Sequence, residues 1–105
     1  MAKYILAYRG GREPSSPEEG AAQRRRFNDW MSSIRESLVS PANPVGPSKL
    51  IDRDGVRDGG GALALTGYTI IEASDEAAAL ELARRCPFTE IGTIELAKMV
   101  ELGGC

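Results

Sequence analysis

Tyr8, Arg9, Gln23, Trp30 and Glu95 are the residues of this chain whose types and placement best suit chemistry. An arginine can anchor an anion, a carboxylate can take a proton, and aromatic walls with a few convergent polar groups describe a small-molecule pocket. Arg9 ends one strand-like run and Glu95 lies within another. If those two runs are central neighbours in a sheet, the two side chains come close. Gln23 and Trp30 fall on the apolar stripe of a helix that covers a sheet. The competing reading is structural: Trp30 as core, Gln23 as a cap on a local backbone group, and Arg9 paired with Glu95 as a simple ion pair. Alternation along a strand does not by itself say which face meets the helices.

Asp58 is a second candidate base beside Glu95. With Gly59-Gly60-Gly61 it could also present backbone N–H groups to an anion. The spacing fits neither a Walker loop nor a dinucleotide fingerprint, so a turn is the plainer reading. Cys86 offers a nucleophile, but it sits at a predicted helix C-terminus, where the dipole disfavours a thiolate. A small apolar residue packed in the core suits it better. Arg24-Arg25-Arg26 could suggest nucleic-acid contact. Successive helical residues point about 100° apart, however, so the three form no single stripe. Arg24 alone borders the apolar stripe, beside Phe27.

Composition narrows the choices. The chain has 105 residues, 42% hydrophobic and 27% charged, with a net charge of −2. These values suit one ordinary globular domain over residues 1–105, with no global pull toward nucleic acid or an anionic membrane. A chain this short buries only roughly 60–65% of its unfolded surface, so pairing with a second copy is a natural way to bury more. No apolar run approaches the ~20 residues of a membrane span. Met1-Ala2-Lys3-Tyr4-Ile5-Leu6 enters a strand without the apolar core of a signal peptide, which predicts a cytoplasmic location. There is no histidine, and two cysteines, Cys86 and Cys105, are too few and too far apart for a zinc site. We therefore expect neither metal nor cofactor. Any proton transfer falls to Asp, Glu, Tyr, Lys, Cys or bound water.

The elements follow from pattern. Lys3 to Arg9 carries apolar residues on both faces and stops at Gly10-Gly11, as a central strand does. Ser16, Pro17 and Glu19 make a capping box with proline at the first helical position. The stripe Phe27, Trp30, Met31, Ile34 and Leu38 lies within an arc of about 100°, which predicts a helix to about Val39. Pro41, Pro44 and Pro47 read as a stiff connection. Ser48 to Arg53 reads as a strand, with a turn at Asp54-Gly55 and Val56-Arg57-Asp58 as an irregular continuation. Ala62 to Ala73 holds the next strand, and Ser74 caps a helix that carries Asp75-Glu76 in its first turn. Thr93 to Leu102 is the last strand, followed by a loose tail, Gly103-Gly104-Cys105. The order β-α-β-β-α-β predicts an α+β, ferredoxin-like fold: a four-stranded antiparallel sheet with two helices on one face.

Three segments carry a family resemblance. They are Lys3-Tyr4-Ile5-Leu6-Ala7-Tyr8, then Gly67-Tyr68-Thr69-Ile70-Ile71-Glu72-Ala73 leading into Glu76 to Ala83, and Cys86-Pro87 followed by Thr93-Ile94-Glu95-Leu96. Together they resemble the YCII-related family, which includes the DGPF-domain proteins. The resemblance implies a ferredoxin-like fold that pairs through its sheets as a dimeric α+β barrel, with a cavity near the sheet. One branch carries a His–Asp pair suspected of catalysis, and a chain without histidine has no such pair. The Asp-Gly-Pro-Phe signature stands here as Asp58-Gly59 followed by Gly60-Gly61. Many relatives have Cys-Pro-His where this chain has Cys86-Pro87-Phe88.

Two functions follow as expectations. The first is a homodimer with a pocket for a small anionic or aromatic ligand, acting as an enzyme on an organic acid or aromatic metabolite, with Arg9 as anchor and Glu95 or Asp58 as base. The second is a non-catalytic binding or regulatory partner protein. It is favoured by the absent histidine and altered signature, and by relatives that are often encoded beside sigma-factor genes.

Overall fold

A computed structural model describes residues 1–102. The expected tail Gly103-Gly104-Cys105 lies outside the described residues. The elements are β1 (Ala2–Arg9), α1 (Pro17–Ser33), β2 (Leu38–Pro44), β3 (Lys49–Asp52), β4 (Gly55–Asp58), β5 (Leu65–Ala73), α2 (Glu76–Arg84) and β6 (Thr93–Lys98). Single 3-10 turns follow the helices, at Arg35–Ser37 and Pro87–Glu90. The main sheet has the order β2-β5-β1-β6, every pairing antiparallel, and β3-β4 forms a separate hairpin. Set aside the hairpin and the connectivity is β-α-β-β-α-β, with the first strand central, as the ferredoxin-like pattern requires.

Local chemistry sets the helix limits. Ser16 accepts the Glu19 N–H through its hydroxyl, and Pro17 opens α1. Asp75, one residue later than expected, caps α2 by accepting the Ala78 N–H. The apolar stripe does not carry α1 to Val39. The helix ends at Ser33, and Ile34 caps it with an N–H shared between the carbonyls of Trp30 and Met31. Ile34 stays in the core, while Leu38 already pairs with Ile71 as the first residue of a strand.

That strand corrects the expectation of a stiff connection. β2 contains Pro41 and Pro44 and joins the sheet through β5 alone. Proline is tolerated on an edge strand, where one side of the backbone has no ladder to complete. Consequently Ser48 to Arg53 is not a strand of the main sheet. It supplies β3, which turns at Asp54-Gly55 into β4, and all eight strand residues of the hairpin are exposed.

Alternation separates the two sheet faces. Tyr4, Leu6 and Tyr8 on β1 and Thr69, Ile71 and Ala73 on β5 are buried under the helices, with Trp30, Ile34, Ala79, Ala83 and Cys86 closing the core. The indole N–H of Trp30 donates to the Leu82 carbonyl at 3.0 Å and ties α1 to α2. Lys3, Ile5, Ala7 and Arg9 fall on the opposite face, as do Tyr68 and Ile70, and no helix among the described residues covers them. The molecule is accordingly thin, 50 × 41 × 18 Å, with a radius of gyration of 15.2 Å, against about 13 Å for a compact chain of this length. Among the described residues no helix is long and apolar enough to cross a membrane.

Candidate functional site

The sheet register brings Arg9 and Glu95 together. β1 and β6 are neighbours, with Arg9 opposite Thr93 and Ala7 opposite Glu95, so the two charged side chains meet on a diagonal. The Arg9 Nε–H donates to Glu95 Oε1 at 2.8 Å, and a terminal guanidinium N–H donates to the Leu63 carbonyl at 3.4 Å. The pair lies on the uncovered sheet face in an open depression of about 480 Å³ with Leu63, Thr93 and Ile94. Side-chain exposures of 36% and 61% make it a solvated ion pair whose charges already answer each other.

Tyr8, Gln23 and Trp30 lie across the sheet from that pair. Tyr8 is buried among aromatic rings, edge-on to Phe27 at 5.8 Å and tilted against Phe88 at 5.0 Å, and Phe27 leans on Trp30 at 5.5 Å. The Tyr8 hydroxyl shares a 2.6 Å hydrogen bond with the Thr69 hydroxyl, which has no solvent access. Burial raises the Tyr8 phenol well above its ordinary value, although the Thr69 bond works the other way. The neighbouring Cys86 thiol is pushed up to about 11 by burial as well. Both groups keep their protons through the neutral range, and Cys86 packs as a small core residue.

The same aromatic cluster walls a second depression. Phe27, Phe88 and Ile91 line a cleft of about 220 Å³ between α1 and the turn after α2, with Gln23, Arg24 and Asn28 at its rim. Helical spacing puts Arg24, Phe27 and Asn28 on one face of α1, at i, i+3 and i+4. Gln23 is held in place: its amide donates to the Pro87 carbonyl at 3.3 Å and its carbonyl accepts from Arg26 at 2.6 Å. Arg26 in turn pairs with Glu90. Arg24 has no carboxylate within ion-pair distance among the described residues. Phe88 is fixed by backbone that comes close only where there is no side chain. A Cβ on Gly92 would stand 2.5 Å from the Phe88 ring and 2.9 Å from the Arg9 carbonyl oxygen.

Two comparisons place this architecture. The model of the YCII-related domain matches residues 6–102. The chain belongs to the YCII-related family. Among solved structures, this YCII-related chain is similar to 5-chloro-2-hydroxyhydroquinone dehydrochlorinase from Burkholderia phenoliruptrix AC1100, solved in complex with 2,5-dihydroxybenzoquinone. The TM-score is 0.57 at 15% identity, over 93% of this chain and 94% of the other. That likeness is one of fold. No match was found among curated proteins.

Asp58 stands apart from both depressions. It lies at the base of the exposed hairpin, ion-paired with Lys49, its direct cross-strand partner. Among the described residues no group of three or more Cys, Asp or Glu side chains gathers to hold a metal. Phe88, Asn28 and Ile91 are cleft residues that sequence reasoning passed over. The signal for Asn28 was its place one turn beyond Arg24. Phe88 was noted only as a departure from a family motif, and nothing local marked Ile91.

Proposed function

We propose that this YCII-related protein works as a homodimer and binds a small aromatic anion in the cleft between α1 and the turn after α2. The observation that carries this reading is the cleft itself. Two aromatic rings and an isoleucine form its walls, two amides stand at its rim, and the Arg24 side chain lines it with no carboxylate within ion-pair distance among the described residues. A volume of about 220 Å³ is on the scale of one planar ring and below that of a drug-sized ligand. The rings supply apolar contact, and Arg24 supplies the charge that answers a carboxylate or an ionised phenol. The dehydrochlorinase of similar fold was solved with a single-ring compound, which agrees in size with the cleft; the cleft carries the argument.

Binding without turnover is favoured by the titratable groups beneath the rings. Tyr8 and Cys86 are both pushed away from neutral pH by burial, and the chain has no histidine. An acid–base role would fall to Glu95, whose carboxylate is held by Arg9 on the opposite face of the sheet.

Homodimer formation is supported by that opposite face. Ile5, Ala7, Tyr68 and Ile70 share it without a covering layer, and a two-fold pairing buries the same patch on both copies.

The test is calorimetric titration with benzoate and hydroxybenzoates. Arg24→Gln changes an exposed side chain without an ion-pair partner among the described residues. It is expected to weaken binding about tenfold, the loss of one exposed charge-assisted contact. Equal affinity in both proteins, or no binding by wild type at millimolar ligand, overturns the assignment.

A further inference from the structure

The β3-β4 hairpin is a two-stranded ribbon with no layer packed on it among the described residues. A lone two-stranded hairpin is marginal in water at best. Ile51 and Val56 are direct cross-strand partners, so they form one apolar patch on one face of the ribbon, and they are 77% and 67% exposed. Leu50, on the other face, is 49% exposed. The ribbon is nonetheless well made. Lys49 pairs with Asp58 at its base and Arg57 with Asp52 near its tip, the Asp52 carboxyl being held below its ordinary range chiefly by the Arg57 hydrogen bond. The Gly59 N–H donates to the Ser48 carbonyl and closes the root.

We propose that this hairpin is an arm that packs its Ile51–Val56 face onto the second copy of the chain. The inference rests on the homodimer proposed above and extends it. Four features favour that occupant. The accessible surface is 7272 Å², about 1,500 Å² more than a compact monomer of 11.3 kDa exposes, a surplus on the scale of one subunit's share of an extensive dimer interface. The arm also continues the uncovered part of the sheet. The Val45 N–H donates to the Thr66 carbonyl and prolongs the β2-β5 ladder toward the arm, and Val45, Leu63 and Leu65 carry exposed apolar surface up to its root. Its reach is sufficient: six residues from Ser48 to Arg53 span roughly 20 Å, and four strands are about 15 Å across. Finally, Lys49, Arg53 and Arg57 balance Asp52, Asp54 and Asp58, so the arm has no net charge to draw it to a membrane or to nucleic acid.

Sedimentation equilibrium of wild type and the Ile51→Asp/Val56→Asp variant tests the arm. Both positions face solvent within one chain, so in a hairpin that stayed in water the two facing carboxylates would loosen the ribbon locally and leave assembly unchanged. The expected result is a dimeric wild type and a dissociation constant raised about a hundredfold in the variant, from two buried apolar side chains exchanged for charges. Hydrogen exchange on wild type gives a reading independent of the variant. Amides of Leu50, Ile51, Val56 and Arg57 should lose protection on dilution below the dimer range, while those of β1 and β5 keep theirs. A dimeric wild type with an unshifted constant in the variant, or arm protection that ignores concentration, overturns the arm and leaves the dimer standing. A wild type that is monomeric at micromolar concentration overturns the dimer reading itself.

Discussion

Replacing Tyr8 by Phe removes one oxygen and leaves the ring stack in place. That oxygen shares a 2.6 Å hydrogen bond with the Thr69 hydroxyl, which has no solvent access. The contacts of the ring with Phe27 and Phe88 do not involve it. The variant therefore loses a buried bond and strands the Thr69 hydroxyl, at a cost of about 2 kcal/mol. Thr69→Val strands the phenol in turn, with a comparable loss of about 1–2 kcal/mol. In the double variant neither group remains to be stranded, so its loss should resemble one single variant, giving a coupling of about 1–2 kcal/mol. Urea unfolding of the four proteins measures the cycle. Protomer concentration must be held equal, because the stability of a dimer depends on it. Each single variant should also melt about 10 °C below wild type. Losses that add to within about 0.5 kcal/mol would show that the two hydroxyls do not share a bond, and would refute the polar contact beneath the rings.

Two further predictions follow from the same cluster. Gly92→Ala places a Cβ 2.5 Å from the Phe88 ring, so it should cost about 1–3 kcal/mol in urea unfolding and weaken benzoate binding by displacing one wall of the cleft. Stability should fall in alkali. Cys86 is raised by burial from a thiol value of 9.0 to about 11, and above pH 9 the unfolded chain releases a proton that the folded chain keeps. The contribution is whole below pH 9 and lost as pH rises through 11, with Tyr8 extending the loss to higher pH. Urea midpoints at pH 8 and pH 10.5 check this; a higher midpoint at pH 10.5 would refute the buried, protonated pair.

Much of the fold was legible because local and global signals agreed. The Ser16 cap with Pro17 behind it, the strand character of β1 and β5 and the brief α2 each allowed one reading, although Glu19 gives its carboxylate to Ser15 and Arg12 and leaves the expected capping box half made; the order of elements pointed to the family whose model matches residues 6–102. The middle of the chain was less transparent, for two physical reasons. Ile34 and Leu38 continue the helical stripe, yet both meet the core from outside the helix: Ile34, buried, as a helix cap and Leu38, half-buried, as the start of a strand. Pro41 and Pro44 argue against a strand anywhere except at an edge, and an edge is a property of the assembled sheet.

The site was legible in pieces. That Arg9 would meet Glu95 followed from placing β1 beside β6. Which face they would occupy did not, since Tyr4, Leu6 and Tyr8 and the set Ile5, Ala7 and Arg9 are both credible core faces until the helices choose one. The helices chose the tyrosine face, which sends Arg9 and Glu95 to the other side and leaves Gln23 beside Phe27 and Phe88. The cleft is assembled from α1 and a turn some sixty residues later, as the Gln23–Pro87 and Arg26–Glu90 bonds record, and no spacing within one element announces such a meeting.

Native mass spectrometry of wild type and Arg24→Gln, each titrated with a hydroxybenzoate, tests the central claim most directly, because assembly and occupancy are read from one spectrum. The account predicts a wild-type dimer that takes up two ligands and an Arg24→Gln dimer that takes up markedly less at the same concentration. A monomer, or equal uptake by both proteins, would contradict it.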